Sequence, residues 1–200
     1  MKKSLGSKTL AQPTPVWVVG TYDAEGKANI MAAAWGSIVC STPACVGVSL
    51  RKATHTYAAI IARCGFTVNI PSEDYVRETD YVGIASGRDV DKFAVTGLTA
   101  VRSDLVDAPY VAEFPLILEC RLLHTIEIGL HTQFIGEIVD VKADPAVLNE
   151  QDQPDAAKVK SFVYSPGARG YYAVGRLLGH GHAIGKDLLK DSALSVSGTE

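Results

Sequence analysis

Apolar and polar positions change their period several times along the chain, and each change marks an element. "PVWVVGTYD" (residues 15–23) is β-branched and aromatic, which predicts a strand. "DAEGK" (23–27) is turn chemistry, and "ANIMAAAWGSIV" (28–39) is predicted to return as the second strand of a hairpin. "ACVGVSL" (44–50) gives a third strand. The period then lengthens to that of a helix over "THTYAAIIARCG" (54–65), with Thr54 or Thr56 as the cap and Gly65 as the stop. "FTVNI" (66–70) is strand again, and "PSEDYVRETDYVGIAS" (71–86) is helical with Ser72 as its cap. "DVDKFAVTG" (89–97) is a short helix ended by Gly97. From 98 to 142 the pattern is β, with Gly129 at the bend between "LILECRLLHTIEIG" and "LHTQFIGEIVDVKA". "NEQDQPDAAK" (149–158) reads as a loop.

The sum is at least six strands with two or three helices between them. Most connections are too short for parallel crossovers. The expected fold is therefore mainly β with appended helices, a barrel or sandwich with antiparallel pairing. A chain of 200 residues that shows no repeat suits a single domain over 1–200. About ten residues at each end, 1–10 and 190–200, are expected to be flexible.

Composition narrows the function. Apolar residues make up 47% of the chain and the net charge is −3, so there is core enough to fold and no basic stripe for nucleic acid. No apolar run is long enough to span a bilayer. The start, "MKKSLGSKTLAQPTP", lacks the apolar segment of a signal peptide. A cytoplasmic protein is expected. Cys40, Cys45, Cys64 and Cys120 form no C-x-x-C pair, which leaves them as small packed hydrophobes rather than a metal or redox motif.

Phosphate-loop and dinucleotide motifs are missing. "GHGHAIG" (179–185) has glycines at the wrong spacing and no clear preceding strand. "SLRKATHT" (49–56) is a better anion site: it ends a strand and opens a helix, where unpaired N–H groups and the positive dipole end favour phosphate. It adds the hydroxyls of Ser49, Thr54 and Thr56 and the cations Arg51 and Lys52. A capped helix beside solvated charges is the alternative.

"NIMAAAWGS" (29–37) poses a separate question, because alanine is depleted in strands. Three methyl groups in a row leave a shallow slot for a flat ligand, with Asn29 able to hydrogen-bond a polar edge and Trp35 able to wall the slot or stack. Close packing by a helix or a second subunit explains the alanines equally well. His55 and His131 lie near these segments, whereas His124, His180 and His182 converge on nothing. "HGH" alone offers two metal ligands and no third. Lys92 reads locally as a helix-surface cation and Tyr164 as a packed aromatic. Neither a Ser/His/Asp order nor a carboxylate pair calls for acid–base or nucleophilic catalysis.

In order and spacing, "NIMAAAWGS", "VGVSLRKATHTYAAI", "FTVNIPS" and "DKF" resemble the flavin reductase-like proteins with an FMN-binding split β-barrel, over nearly all of residues 10–190. More narrowly, the chain resembles the small FMN-carrying redox proteins of that family. The resemblance implies that Asn29 and Trp35 border the flavin ring and that Ser49, Arg51, Thr54, His55 and Thr56 serve the phosphate. It implies further cofactor contacts from Lys92, His131 and Tyr164. It also implies a homodimer with the flavins near the interface, and a function in passing electrons between a reduced donor and an acceptor. Two alternatives remain open at this level. One is an NAD(P)H-dependent flavin reductase, and the other is a cofactor-free dimeric β-barrel that acts as a binding module.

Overall fold

A computed structural model describes residues 1–186, 188 and 189. The expectation about 190–200 lies outside the described residues. Residues 1–13 form neither helix nor strand and are exposed.

The elements run as β1 (Thr14–Pro15), β2 (Trp17–Tyr22), β3 (Ala28–Ala33), β4 (Gly36–Ser41), β5 (Ala44–Arg51), α1 (His55–Arg63) and β6 (Gly65–Ile70). After a 3₁₀ turn at Glu73–Tyr75 come α2 (Val76–Ile84), α3 (Lys92–Thr96), β7 (Ala100–Arg102), β8 (Pro109–Val111), β9 (Leu116–Ile128) and β10 (His131–Ala143). The chain closes with a second 3₁₀ turn at Pro145–Val147, then α4 (Ala156–Val159), β11 (Phe162–Ser165) and β12 (Gly170–Ala173). Seven strands form one sheet in the order β3-β2-β6-β9-β10-β5-β4, every pair antiparallel.

Two apolar clusters explain why this sheet curls. Val19, Val46, Val48, Phe66, Val68 and Phe134 fill the inside. Val18, Ile30, Val82, Phe93, Val111 and Ile117 pack between the sheet's other face and α2, α3 and β8. Strands β2 and β6 are thus covered on both faces, so β6 is buried at every position. Its polar side chains have partners. Asn69 donates to the Val18 carbonyl at 2.8 Å and accepts from the Val111 amide at 2.8 Å. Thr67 donates to the Pro109 carbonyl at 2.6 Å. These bonds pin the β7–β8 ribbon to the sheet.

The predicted strand over 28–39 is two strands. β3 pairs with β2 at one edge of the sheet, whereas β4 pairs with β5 at the other. The chain crosses between the edges at Ala34 and Trp35, where the Trp35 carbonyl accepts from the Ser49 amide at 2.8 Å. Gly36 makes this passage possible: a Cβ there would lie 2.5 Å from the Trp17 ring. Apolar residues run through the crossing without interruption, so periodicity does not reveal it.

Three smaller expectations change. Cys64, with φ +51°, ends α1 in the left-handed region, and Gly65 opens β6. Ser72 forms no side-chain cap and instead bridges Ser161 through the backbone. The segment 149–158 is a loop only to Asp155, which caps α4 by accepting from the Ala157 amide.

Candidate functional site

Strand β5 ends at Arg51 and a short turn carries the chain into α1. The first residue outside the helix, Thr54, has extended backbone, yet its side chain caps nothing. Its hydroxyl donates back to the Arg51 carbonyl at 2.9 Å. Thr56 does not cap the helix either. Its buried hydroxyl oxygen accepts from Asn29 Nδ2 at 3.0 Å. No acidic residue sits in the first turn. The expected cap is therefore missing, and the positive end of α1 faces a cleft without a side-chain acceptor.

That cleft, about 270 Å³, is lined by Arg51, Ala53, Thr54, His55, Thr56 and Lys92, together with the α2 end and the loop through Gly87. Asn29 stands behind Thr56 with its Oδ1 buried and unpaired. Such an oxygen is costly to leave without a donor, and costs most where water is excluded. Gly87 closes this corner: a Cβ there would fall 2.1 Å from Asn29 Oδ1. His55 contributes its ring edge to the cleft, while its Nε2 faces Asp23 Oδ2 at 3.6 Å. Asp23 is already fixed by the amides of Glu25 and Lys27.

Lys92 corrects the local reading of a surface cation. It is 4% exposed, and its Nζ donates to the Ile30 carbonyl at 2.8 Å and the Val82 carbonyl at 2.7 Å. An ammonium has three protons, so one remains for a ligand. Burial brings its pKa down to about 8, which keeps it charged at neutral pH. Asp91 places Lys92 by capping α3, with its side chain accepting from the Ala94 amide at 3.1 Å. That bond, with Lys27 next, lowers the Asp91 pKa. Asp91→Ala should cost about 1 kcal/mol of stability, read as a lower urea midpoint.

The other predicted residues gather in two neighbouring clefts. Trp35, Ser49 and His131 line one of about 400 Å³, with Ile128, Gln133, Thr9, Ala11 and Thr14 around them. His131 is the register partner of Arg51, and Gln133 that of Ser49. Directly opposed residues share a face, so Arg51 joins this cleft to the first. Tyr164 lines the third, about 580 Å³, with Ala32, Ala33 and Ala34 on one side and Asp80, Arg169 and Tyr171 on the other. Gly83 and Ile84 border both this cleft and the first. The alanine slot is thus open, although Ala32 also supports α2, 3.1 Å from where a Gly83 Cβ would stand.

The residues that sequence reading missed lie after α2. Arg88 donates to the Ala53 carbonyl at 2.8 Å and so holds the turn before α1. Ser86 accepts from the Arg88 amide. The only local signal was "IASGR", a small-residue segment with a cation. Tyr171 donates to Asp80 at 2.8 Å, and burial, with Asp80 next, raises its pKa. Among the described residues no cluster of three or more His, Cys, Asp or Glu could hold a metal ion. His180 and His182 are exposed.

The arrangement suits a ligand with an anion at one end and a flat apolar body. An open helix start with Arg51 takes the first, and a methyl-floored cleft with aromatic walls takes the second.

Residues 10–168 match the model of the flavin reductase like domain. The chain is similar to flavoredoxin of Desulfovibrio vulgaris (Miyazaki F), at 55% identity and a TM-score of 0.89, over 92% of this chain and all 100% of that one. It is also similar to flavoredoxin from Methanosarcina acetivorans, at 32% identity and a TM-score of 0.84, over 94% of this chain and 98% of that one. An uncharacterized protein of Archaeoglobus fulgidus is 34% identical over 58% of this chain, which spans 65% of that relative's length.

Proposed function

This chain belongs to the flavin reductase-like domain family, whose fold is a split β-barrel, and from that premise we propose that it binds FMN and carries electrons between a reduced donor and an acceptor. One observation carries the reading: the uncapped start of α1 converges with Arg51, Thr54 and Thr56 beside a cleft floored by Ala32, Ala33 and Ala34.

FMN supplies the redox-active ring, and the protein supplies binding, orientation and electrostatics. The α1 amides, Arg51 and the Thr56 hydroxyl, whose proton is left free by the bond it accepts from Asn29, hold the phosphate. Asn29 Oδ1 accepts from a ligand donor, which would satisfy the buried atom left unpaired. Lys92 holds a proton, and with it a positive charge, against the cleft wall. Such a charge favours added negative charge on a neighbouring ring. Tyr164 and Tyr171 wall the apolar end, while Trp35 and His131 line the neighbouring cleft on the other side of Arg51. No side chain is required as acid, base or nucleophile.

The purified protein is expected to be yellow, with FMN identified by mass. Anaerobic mixing should show prompt reduction by a reduced redox protein and none by NADH or NADPH. Fast bleaching by a nicotinamide would make the protein a flavin reductase instead. A preparation that stays colourless after incubation with FMN would leave a binding module. Thr56→Ala should raise the FMN dissociation constant about tenfold, the worth of one hydrogen bond to a charged group, and fluorescence titration reads this directly.

The reading includes a homodimer. Ile126, Ile128 and Leu130 form an exposed apolar tip on the β9–β10 hairpin, next to the cleft of Trp35 and His131. Sedimentation should give twice the chain mass, and Ile128→Asp should lower it. Among the described residues no helix is long and apolar enough to cross a membrane. All four cysteines are free, which fits a reducing compartment such as the cytoplasm.

A further inference from the structure

We propose that Cys40 and Cys45 form a cross-strand dithiol that closes reversibly to a disulfide by exchange with low-molecular-weight disulfides. The two residues are register partners in the β4–β5 hairpin, one pair in from its closing pair, Ser41 and Ala44. Directly opposed residues of an antiparallel pair have Cα atoms about 4.5–5.5 Å apart, inside the 4.4–6.8 Å window a disulfide needs. They also share a face. This juxtaposition depends on a register shift between Ile38 and Cys40. In uninterrupted pairing Val39 would oppose Cys45. The extra residue puts Cys40 there instead.

The two thiols differ in the way an exchange reaction needs. Both are free, but Cys40 is exposed on the edge strand while Cys45 is 3% exposed. Cys40 thiolate attacks one sulfur of a small disulfide, giving a mixed disulfide and one small thiolate. Cys45 thiolate then attacks Cys40 Sγ and expels the second small thiolate. The protein loses two protons and two electrons, and the small disulfide that takes them up becomes two small thiols. Burial, then Cys40, then Glu137 raise the Cys45 pKa, so the closing step should quicken with pH. The pair lies six residues along β5 from Arg51, about 20 Å away, so it is separate from the proposed cofactor site. The bond would clamp the free edge of the sheet, the strand that Trp35 leads into.

The native protein is treated with glutathione disulfide, quenched in acid, alkylated after unfolding and digested with trypsin. Both cysteines fall in one peptide, residues 28–51, while Cys64 and Cys120 fall in others. The peptide 28–51 should be lighter by two hydrogens, free of glutathione and unalkylated, and dithiothreitol should reverse this. Cys45→Ser, checked by thermal unfolding to be folded, should instead keep one glutathionyl group on Cys40. Exposed Cys64 serves as the internal control. A stable glutathionyl adduct on Cys40 of the unsubstituted protein overturns the proposal. So does a Cys40 that stays unmodified while Cys64 reacts. The result does not depend on whether FMN is bound.

Discussion

Ala34→Phe should raise the FMN dissociation constant about fiftyfold or more while leaving the protein folded. Ala34 lines the cleft that Ala32 and Ala33 also border and that Tyr164 and Tyr171 face. A benzyl group placed there occupies space that the reading assigns to the flavin ring. If the ring loses about 100 Å² of apolar contact, the loss is about 2.5 kcal/mol at 25 cal/mol per Å², and that is nearly two decades of affinity. Ala34 is only partly buried, so the new ring does not overpack the core as it would at Ala33, which is 5% exposed. Ala34→Ser should bind within about threefold of the unsubstituted protein, because it changes little volume. Flavin fluorescence titration and thermal unfolding of both variants check the two halves of the expectation. Undiminished binding by the phenylalanine variant would move the ring out of the alanine cleft.

Lys92→Met should alter how stability depends on pH. Burial holds the Lys92 pKa at about 8, against 10.5 for an unhindered lysine. Between those values the unfolded chain binds more protons than the folded one, so the Lys92 contribution to stability rises with pH. It is lost as pH falls through about 8 and fully regained above about 10.5. The shift corresponds to at most about 3.5 kcal/mol. The raised pKa values of Cys120, pushed to about 12 by burial, and of Tyr171 act in the opposite direction at alkaline pH. The difference between the unsubstituted protein and Lys92→Met removes them. Urea midpoints at pH 7 and 10 should give that difference a positive slope. A flat difference would mean that Lys92 is better solvated than its 4% exposure implies. At pH 7 the variant should still be less stable, because Ile30 and Val82 carbonyls lose their donor in a buried place. Bound FMN would raise the Lys92 pKa through its negative charge, so the slope should shrink when FMN is added.

Strand content and antiparallel pairing were legible along the chain because period-two apolar runs and short turns are local signals. The β9–β10 hairpin about Gly129, the α3 stop at Gly97 and the helix–strand step from α1 into β6 all follow from nearest neighbours. The clustering of the proposed anion-binding residues was legible for the same reason: Arg51, Thr54, His55 and Thr56 are close in sequence, so one turn of chain brings them to one cleft.

Other features depend on contacts between residues far apart in sequence. Asn29 meets Thr56 across 27 positions, and Lys92 reaches the Ile30 carbonyl across 62. A lysine in a polar helix start carries no local mark of burial, which is why it reads as a surface cation. Only the packing of α2 and α3 against β3 surrounds it. The split of residues 28–39 between opposite sheet edges was equally hidden, because hydrophobicity reports burial and says nothing about which neighbour is paired. Trp35, Ser49 and His131 share a cleft because β4, β5 and β10 are adjacent in the sheet. Local propensity and spacing thus determined the elements and the turn from β5 into α1. Tertiary pairing alone decided that the alanines floor an open cleft, that a buried ammonium stands at the wall of the cleft beside it, and that Cys40 opposes Cys45.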